Sequence, residues 1–410
     1  MADENYIDLY KDDESGKVGT SIAGKDVVLL DAPEVLLSPD TPLLTNAQDV
    51  AGAINELFQS GGEGGDDWAL PENWINIPEP KQNQIVILIE VPADRVNNLS
   101  YPALGIGSSY GFSGGSVDWG DGYVDNMDYS VDDKYAHIYS KAGLYIVTIN
   151  CSDNMQGISL YYSSLGQSHV SGDIIPGGEE SKHSFSMNQA PQNIWVRAVK
   201  FGNNTYISLG SSQPMKSMFQ NIVYVKYCGN SFDFVYNKTG LFTNCWFLCK
   251  IDFEVLPSEI PASMCSACYS LKTIDFAKNV KNIPSAAFYN CYGILKADLL
   301  SAESMEYNSL SGCYMLKEIN APKLTRMADQ SFRDCYGLRK FSAAMLTSIP
   351  AYIFYYAYNL EEIDTPSLMD LSANSYIGYC YSLKKFTYAD GCNFNGIVFN
   401  NLPALYPKPE

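Results

Sequence analysis

The chain has 410 residues, a formal net charge of −19 at pH 7 and 46% apolar residues. An apolar fraction of this size supports packed cores and excludes a wholly disordered protein. The negative charge argues against nucleic acid and anionic membrane surfaces as partners, because both attract basic patches. Tyrosines number 30 against 18 phenylalanines and 5 tryptophans, and tyrosine-rich surfaces are typical of recognition proteins.

Residues 1–58 are predicted to form an extended and helical anchoring segment. Prolines at positions 33, 39 and 42 favour extended structure at first. Residues 45–59 then predict one short amphipathic helix, which needs a partner for its apolar face. Its apolar side chains lie at helical spacing: Val50, Ile54, Leu57 and Phe58. The helix either anchors the chain in an assembly or packs on the next domain.

The phrase around this helix, AQDVAGAINEL, resembles a segment common near the termini of phage tail, baseplate and fibre proteins. That resemblance implies attachment to other virion proteins. The Gly-rich, acidic residues 59–67 follow and predict a flexible linker. The acidic start lacks an apolar signal region, and the apolar run at 85–89 is too short for a bilayer. We therefore expect no secretory signal peptide and no membrane insertion.

Residues 68–189 are predicted to be β structure built around the motif VDWGDG at 117–122. We expect Trp119 and Tyr145 to be core aromatics, and Gly120 and Gly122 to permit a tight turn. The segment HIYSKAGLYIVTI begins at His137 and ends in a strand with alternating apolar residues. Together the two segments resemble the signature of the PKD-like immunoglobulin β-sandwich, which implies a structural domain here.

Four aspartates near this turn are open to two interpretations: Asp118, Asp121, Asp125 and Asp128. They can bond local backbone amides, or they can hold an ion. Their spacing does not match an EF-hand loop, which also requires a bidentate glutamate. We favour the structural interpretation and predict no metal.

Residues 190–410 repeat one phrase, Cys-Tyr-x-Leu-x-x-Ile/Phe, with gaps of 22 or 23 residues. The first position falls at Cys245, Cys268, Cys291, Cys313, Cys335, Ala357 and Cys380, which we call the thiol ladder. A fixed period of this length predicts a solenoid whose units stack because none buries its apolar face alone. In the copy LKTIDF, we predict that Leu271, Ile274 and Phe276 point inward from a short parallel strand.

The thiol ladder is predicted to be buried and unpaired. Free cysteine packs as a small hydrophobe. Ala357 fills the same position without a sulfur, and the chain has an odd total of 11 cysteines. Disulfide pairing and zinc binding are the alternatives that these observations disfavour.

The frame resembles the BspA-type leucine-rich repeat of bacterial surface proteins and some phage proteins. The family frame runs L-x-x-I, then I/L-P, then A/S-F-x-x-C. Ile283-Pro284, Ala287-Phe288 and Cys291 match it here, whereas other copies lose the proline. The resemblance implies adhesion or recognition rather than catalysis. The predicted fold class is therefore mainly β and multidomain: the anchor, the PKD-like sandwich and a leucine-rich-repeat solenoid with caps.

Two sets of side chains on the solenoid are predicted to contact a partner. The aromatic row follows the thiol ladder by one residue: Trp246, Tyr269, Tyr292, Tyr314, Tyr336, Tyr358 and Tyr381. The polar column lies on the strand face, which we expect to be concave: Asp252, Asp275, Asp298, Asn320, Ser342, Asp364 and Thr387. The rings either stack on one another or bind a glycan or protein.

A neighbouring charged column offers a purely structural alternative for the strand face: Lys250, Thr273, Lys296, Glu318, Lys340, Glu362 and Lys385. Opposite charges on adjacent strands stabilise a sheet by about 0.2–1 kcal/mol each. No nucleophile elbow, zinc-protease motif or phosphate loop occurs in the sequence, so we predict neither an enzyme nor a cofactor.

The main hypothesis from sequence is a non-enzymatic phage virion protein, a tail or head fibre or appendage. It attaches to other virion proteins through its N-terminus and recognises a host cell-surface glycan or protein. We expect it to be made in the host cytoplasm, exposed on the particle surface, and homo-oligomeric, with a trimer as the guess from fibre proteins. The alternative is a bacterial BspA-like surface adhesin, and a glycan depolymerase is the third hypothesis.

Overall fold

The computed structural model describes residues 8–11, 18–22, 25–28, 71, 74, 76–93, 96, 104–108, 115–127, 134–152, 158–160, 167–172, 181–184, 196–203, 205, 221–229, 240–375, 377, 380–397 and 405. The chain divides into two compact units, Met1–Gly64 and Gly65–Glu410. The predicted anchoring helix, with Val50, Ile54, Leu57 and Phe58, lies outside the described residues, as does the predicted linker. The boundary predicted at residue 190 stays a prediction.

The described part of the first unit is an antiparallel sheet with the order β1-β2-β3. Its strands are β1 (Asp8–Lys11), β2 (Val18–Ile22) and β3 (Lys25–Val28). Ile22 pairs with Lys25 across a two-residue connection. Extended structure was predicted for this stretch.

The second unit begins with strands that form two sheets. They are β4 (Gln84–Val91), β5 (Leu104–Ser108), β6 (Gly115–Asp118), β7 (Val124–Met127), β8 (Lys134–Ile138), β9 (Gly143–Cys151), β10 (Ile158–Leu160), β11 (Gln167–Gly172), β12 (Ser181–Ser184), β13 (Val196–Phe201), β14 (Tyr224–Tyr227) and β15 (Lys250–Phe253). One sheet has the order β15-β14-β13-β4-β9-β6-β7 and the other β10-β5-β8-β11-β12. Tyr135 of β8 joins Val117 and Trp119 in the same apolar core.

The larger sheet joins the region of the VDWGDG motif to the repeats. Strand β13 pairs antiparallel with β4, with Val199 opposite Ile87, and parallel with β14, with Val199 opposite Val225. Strand β14 pairs in turn with β15 of the first complete repeat. The sheet and its apolar core therefore run without interruption from the motif region into the solenoid. Strand β4 covers the edge that β13, which leads into the repeats, would otherwise expose.

The repeats form a β-solenoid with two short strands in most rungs. The strands are β16 (Asn282–Ile283), β17 (Lys296–Asp298), β18 (Ser304–Met305), β19 (Glu318–Asn320), β20 (Arg326–Met327), β21 (Lys340–Ser342), β22 (Ser348–Ile349), β23 (Glu362–Asp364), β24 (Asp370–Leu371) and β25 (Lys385–Thr387). They make parallel sheets with the orders β17-β19-β21-β23-β25, β16-β18-β20 and β22-β24. The described part of the chain is thus mainly β, as predicted, and it contains almost no helix.

One rung lacks the predicted strand. A 3-10 helix, Asp275–Asn279, stands where LKTIDF was expected to be extended, so that prediction is wrong. The burial was right, since Leu271, Ile274 and Phe276 are at most 2% exposed. Thr273 donates its hydroxyl to Asp275 Oδ2 at 2.8 Å and accepts the Asp275 N–H at 3.2 Å. Such local side-chain bonds compete with a strand ladder. A second 3-10 helix spans Ala373–Ser375.

The thiol ladder is confirmed as buried and not linked by disulfides. All eleven cysteines fall within the described residues and none of them forms a disulfide, and every position of the ladder is 0% exposed. Burial raises the pKa of the Cys313 thiol to about 12, so the sulfur keeps its proton. Four thiols of the ladder each donate their proton to a backbone carbonyl oxygen of the preceding rung, with Sγ–O distances of 3.0–3.3 Å: Cys268 to Phe242, Cys291 to Cys265, Cys313 to Phe288 and Cys335 to Leu310.

In six successive rungs, two residues adopt left-handed backbone angles, with φ between 53° and 75°. One precedes the thiol ladder directly: Asn244, Ala267, Asn290, Gly312, Asp334 and Tyr356. The other precedes it by five residues: Gly240, Ser263, Ala286, Asn308, Gln330 and Tyr352. This conformation points the backbone N–H of the left-handed residue toward the next rung. The Asn290 N–H, for example, donates to the Ser311 carbonyl oxygen at 2.8 Å. The turns are therefore hydrogen-bonded between rungs just as the strands are.

We predict that Cys313→Ala lowers the free energy of unfolding by about 1–2 kcal/mol, because it removes a buried hydrogen bond and leaves a small cavity. Denaturant titration of the full chain measures the change. Cys392→Ala is the matched control, since that half-buried thiol lies outside the ladder. Equal losses in both variants would show that the sulfur-to-carbonyl bond contributes nothing.

We predict that Ile87→Ala on β4, where the side chain is 0% exposed, destabilises the repeats as well as its own sheet. The loss expected for a buried aliphatic side chain is about 2–5 kcal/mol. Amide hydrogen exchange should show reduced protection in β14 and β15 and a smaller change in β23, because coupling in a solenoid passes between neighbours. Val124→Ala, at a side chain that is 57% exposed, is the control. Unchanged exchange in β14 would contradict the shared sheet.

Candidate recognition surfaces

The aromatic row follows the rungs as a stack of rings. The centroids of Tyr269 and Tyr292 lie 4.6 Å apart with planes 3° from parallel, and those of Tyr292 and Tyr314 lie 4.4 Å apart at 6°. The order then breaks: Tyr314 and Tyr336 are 5.2 Å apart at 59°. The turns that carry these rings repeat at the rung spacing, which places the side chains on one edge of the solenoid.

Exposure rises along the aromatic row. Trp246 and the first four tyrosines are half-buried, whereas Tyr358 is 37% and Tyr381 44% exposed. Burial raises the pKa of Tyr269 and Tyr314 above the usual value, so their hydroxyls stay neutral. The first rings therefore cover one another and the turns beneath them, and the later rings present more of their surface to solvent.

The charged column contains ion pairs between neighbouring rungs. Glu362 lies 3.4 Å from Lys340 and 2.6 Å from Lys385, in the register of β21, β23 and β25. Lys296 instead pairs within its own rung, 3.2 Å from Asp298. These side chains are partly exposed, and such pairs contribute up to about 1 kcal/mol each. The arrangement is the one expected of charges that stabilise a sheet.

Much of the polar column is also engaged within the protein. Asp252 accepts the Tyr224 hydroxyl at 2.8 Å, and Asn320 donates to Asp298 at 3.2 Å. Burial raises the pKa of Asp275, but hydrogen bonds from Lys278 and Thr273 outweigh it and lower the pKa overall. Because Asp275 stands in a 3-10 helix, the regular part of the column begins at Asp298. The side chains are partly buried, and their role in binding stays a prediction.

The VDWGDG turn is held by its own carboxylates. Gly120 N–H donates to Asp118 at 2.9 Å, and Trp119 Nε1 donates to Asp125 at 2.7 Å. Asp121 accepts the Tyr123 N–H at 3.2 Å and lies 2.6 Å from His137 Nε2. The predicted structural role therefore describes these three aspartates, while Asp128 lies outside the described residues.

The two aromatic residues of this region differ in burial. Trp119 is 0% exposed and stacks on His137 at 5.0 Å, as a core residue should. Tyr145 was predicted to be a core aromatic but is only half-buried, because its hydroxyl reaches the Lys141 carbonyl at 2.8 Å near the surface. The VDWGDG turn, with its buried Trp119, is thus stabilised by polar contacts to the carboxylates of three aspartates.

One polar cluster could not be predicted from sequence because its members are far apart in the chain. Glu79 accepts bonds from Lys200 at 2.8 Å, Lys226 at 2.9 Å and the Cys228 thiol at 3.1 Å. Glu79, Cys228 and Glu254 are close enough together to hold a metal ion. The Lys226 ammonium already lies between the two carboxylates, 3.8 Å from Glu254. The Lys226 ammonium therefore supplies the positive charge that a metal ion would bring. The cluster has a structural role, and we call it the Glu79 tie.

A second set of residues was missed although the sequence carried a signal. The segment AYIFYYAYN, which ends at Asn359, has tyrosines at positions 352 and 356, where the five preceding rungs have small or polar residues. Tyr352, Tyr355 and Tyr356 lie beside the aromatic row, with Tyr356 and Tyr358 5.6 Å apart between centroids. The local excess of tyrosine over the repeat frame was the observation that could have identified them.

The repeat region matches a known family in sequence. Residues 203–295 and 296–405 match the BspA type Leucine rich repeat region, in 6 copies. No curated protein matches the chain with significant sequence similarity. In the described part of the chain, no helix is long and apolar enough to cross a membrane.

Solved structures of leucine-rich-repeat proteins are similar only at a distance. A leucine-rich repeat protein from Eubacterium ventriosum is 13% identical with a TM-score of 0.28, over 58% of this chain and 60% of that one. A leucine rich cell surface protein from Faecalibacterium prausnitzii is 14% identical with a TM-score of 0.18, over 57% and 90%. An internalin from Listeria monocytogenes is 8% identical with a TM-score of 0.16, over 63% and 87%. At these values the repeat assignment rests on the sequence match and the rungs themselves.

We predict that Glu79→Gln makes the acid unfolding of the protein less steep. Burial raises the pKa of Glu79, but bonds from Lys200, Lys226 and Cys228 outweigh it and lower the pKa from 4.5 to about 2. Its contribution to stability is therefore full above pH 4.5 and is lost as the pH falls toward 2. Thermal melts between pH 2 and 7 measure the effect. Glu259→Gln, at an exposed carboxylate, is the control, and identical pH profiles of the two variants would refute the tie.

Proposed function

Because residues 203–405 form BspA-type leucine-rich repeats, we propose that this chain is a non-enzymatic recognition protein that adheres to a macromolecule on a cell surface. The observation that carries the proposal is the stack of rungs with its outward aromatic row. A buried core of aliphatic side chains and thiols holds the rungs, and their outer side chains are left to meet a partner. The partner is a glycan or a protein, and we assign no role to nucleic acid.

We propose that the chain is displayed on the surface of a bacterial cell, where it acts as an adhesin of the BspA type. The sequence match to the BspA type repeat supports this choice. The shared sheet of β4 and β13 supports a rigid presentation, since it fixes the direction of the repeats relative to the preceding strands. Residues 68–189 are proposed to be a PKD-like domain, on the strength of the VDWGDG turn and its buried Trp119.

A phage virion appendage is the second candidate. It is supported by the resemblance of residues 47–57 to segments of phage tail, baseplate and fibre proteins. In that case residues 1–58 attach the chain to other virion proteins, and the repeats face the host cell. The trimer expected for such a fibre belongs to this candidate alone.

We predict that beads coated with the full chain adhere to epithelial or bacterial cells and that albumin-coated beads do not. Antibody fragments raised against residues 205–400 should block adhesion, whereas fragments against residues 1–45 should leave it unchanged, because the repeats make the contact. Bead counts by microscopy measure the effect. Lack of adhesion to every cell type, or equal block by both antibodies, would defeat the proposal.

Immunogold electron microscopy with the antibody against residues 205–400 distinguishes the bacterial surface adhesin from the phage virion appendage. Gold on the envelope of intact bacteria supports the adhesin, and gold on purified phage particles supports the virion appendage. Gold confined to the interior of sectioned cells would contradict both.

A further inference from the structure

The sixth and seventh rungs carry a partly exposed group of aromatic side chains. We call it the tyrosine cluster, and its members are Tyr352, Tyr355, Tyr356, Tyr358 and Tyr381. Ring centroids lie 4.1 Å apart for Tyr355 and Tyr356, 5.6 Å for Tyr356 and Tyr358, and 6.3 Å for Tyr358 and Tyr381. Tyr352 and Tyr358 are each 37% exposed, and Tyr381 is 44% exposed. Tyr355, Tyr356, Tyr358 and Tyr381 thus form a continuous series of neighbouring rings, and the cluster is partly open to solvent.

The arrangement of the rings differs from that in the earlier rungs. Tyr269, Tyr292 and Tyr314 stack within 6° of parallel, so each ring face meets a neighbouring ring. Within the sixth rung, Tyr356 and Tyr358 stand at 82°, whereas Tyr358 and Tyr381 of the seventh rung are 21° from parallel with their centroids 6.3 Å apart. Splayed rings at longer distances cover one another less than a close stack does.

Two of these tyrosines occupy backbone positions that suit other residues better. Tyr352 has φ 59° and Tyr356 has φ 66°, both left-handed. In the five preceding rungs the corresponding positions hold Gly, Ser, Ala, Asn, Gln or Asp. A bulky side chain is uncommon in this region of backbone space, where glycine and asparagine are accommodated most readily. Residues held at such a cost are concentrated at functional sites.

The chemistry of the tyrosine cluster matches a sugar ring. Each tyrosine offers an apolar face with a hydroxyl at its rim, and a pyranose offers an apolar C–H face with hydroxyls at its rim. The Tyr355 and Tyr356 hydroxyls are hydrogen-bonded to each other at 3.1 Å, which places two polar groups at one edge. Arg333 lies over the Tyr355 ring at 5.2 Å and also pairs with Asp334 at 3.3 Å, so its charge is compensated.

We propose that the tyrosine cluster is the binding site for a neutral glycan, with pyranose rings resting on the faces of Tyr358 and Tyr381. The proposal rests on the adhesive function and names its ligand class and its place on the solenoid. Tyr352 and Tyr356 enlarge the surface, and the hydroxyls of Tyr355 and Tyr356 hydrogen-bond sugar hydroxyls.

The test uses the full chain on an array of immobilised neutral oligosaccharides of hexoses and N-acetylhexosamines. We expect the unmodified protein to bind a subset of the array, and the double variant Tyr358→Ala, Tyr381→Ala to bind that subset about tenfold more weakly or worse. Tyr307→Ala is the matched control, because Tyr307 is 47% exposed on the fourth rung and lies outside the tyrosine cluster. Absence of binding by the unmodified protein, or an equal loss in the control, overturns the proposal.

Tyr352→Asn separates a binding role from a structural one. Asparagine stands at the corresponding position 308 with φ 56°. We expect this variant to keep its melting temperature or to gain about 2–4 °C through relief of the strained backbone, while it loses glycan binding. A fall in melting temperature with glycan binding retained would show that the tyrosine is structural, and would overturn its part in the site.

Periodate oxidation distinguishes failure of this proposal from failure of adhesion itself. Periodate cleaves the vicinal diols of sugars, so adhesion of coated beads should disappear on oxidised cells. Adhesion that survives oxidation overturns the glycan site, leaves the adhesive function standing and identifies a protein as the partner. Absence of adhesion to untreated cells defeats the adhesive function, whatever the array shows.

Discussion

The structure depends on hydrogen bonding between successive rungs on both the strand side and the turn side. On the turn side, left-handed residues such as Asn290 direct their N–H groups to the next rung, and the ladder thiols donate to the carbonyls of the preceding one. A single rung cannot satisfy these groups or bury its aliphatic side chains. Each rung therefore requires its neighbours, and the first rung requires a cover.

That requirement explains why the region of the VDWGDG motif and the repeats are joined by a sheet. Strand β13 uses one edge for β14 and the other for β4, so neither edge remains open at the start of the solenoid. The Glu79 tie strengthens the same junction, because it connects the chain before β4 with Lys200 of β13 and Lys226 of β14. A binding surface on such a scaffold keeps a constant direction relative to the preceding strands.

The outer side chains divide into those that stabilise the stack and those that it merely presents. The charged column forms ion pairs along itself and with the polar column, and the first tyrosines of the aromatic row cover one another. The tyrosine cluster differs, because it keeps exposed rings and places two tyrosines in left-handed positions. A row with one period can therefore be closely stacked in one part and exposed to solvent in another.

Sequence alone determined the features that repeat or alternate. The 22- or 23-residue step, the buried Leu271 and Ile274, the absence of disulfides in the thiol ladder and the core position of Trp119 all follow from local patterns, since burial is periodic when stacking is. Tertiary structure decided what links distant positions: the pairing of Ile87 with Val199, the bonds from Lys200 and Lys226 to Glu79, and the direction in which each ladder thiol donates its proton. It also decided where Thr273 and Asp275 replace a strand with a 3-10 helix. These contacts depend on which backbone groups face each other after folding, and a one-dimensional pattern does not contain that information.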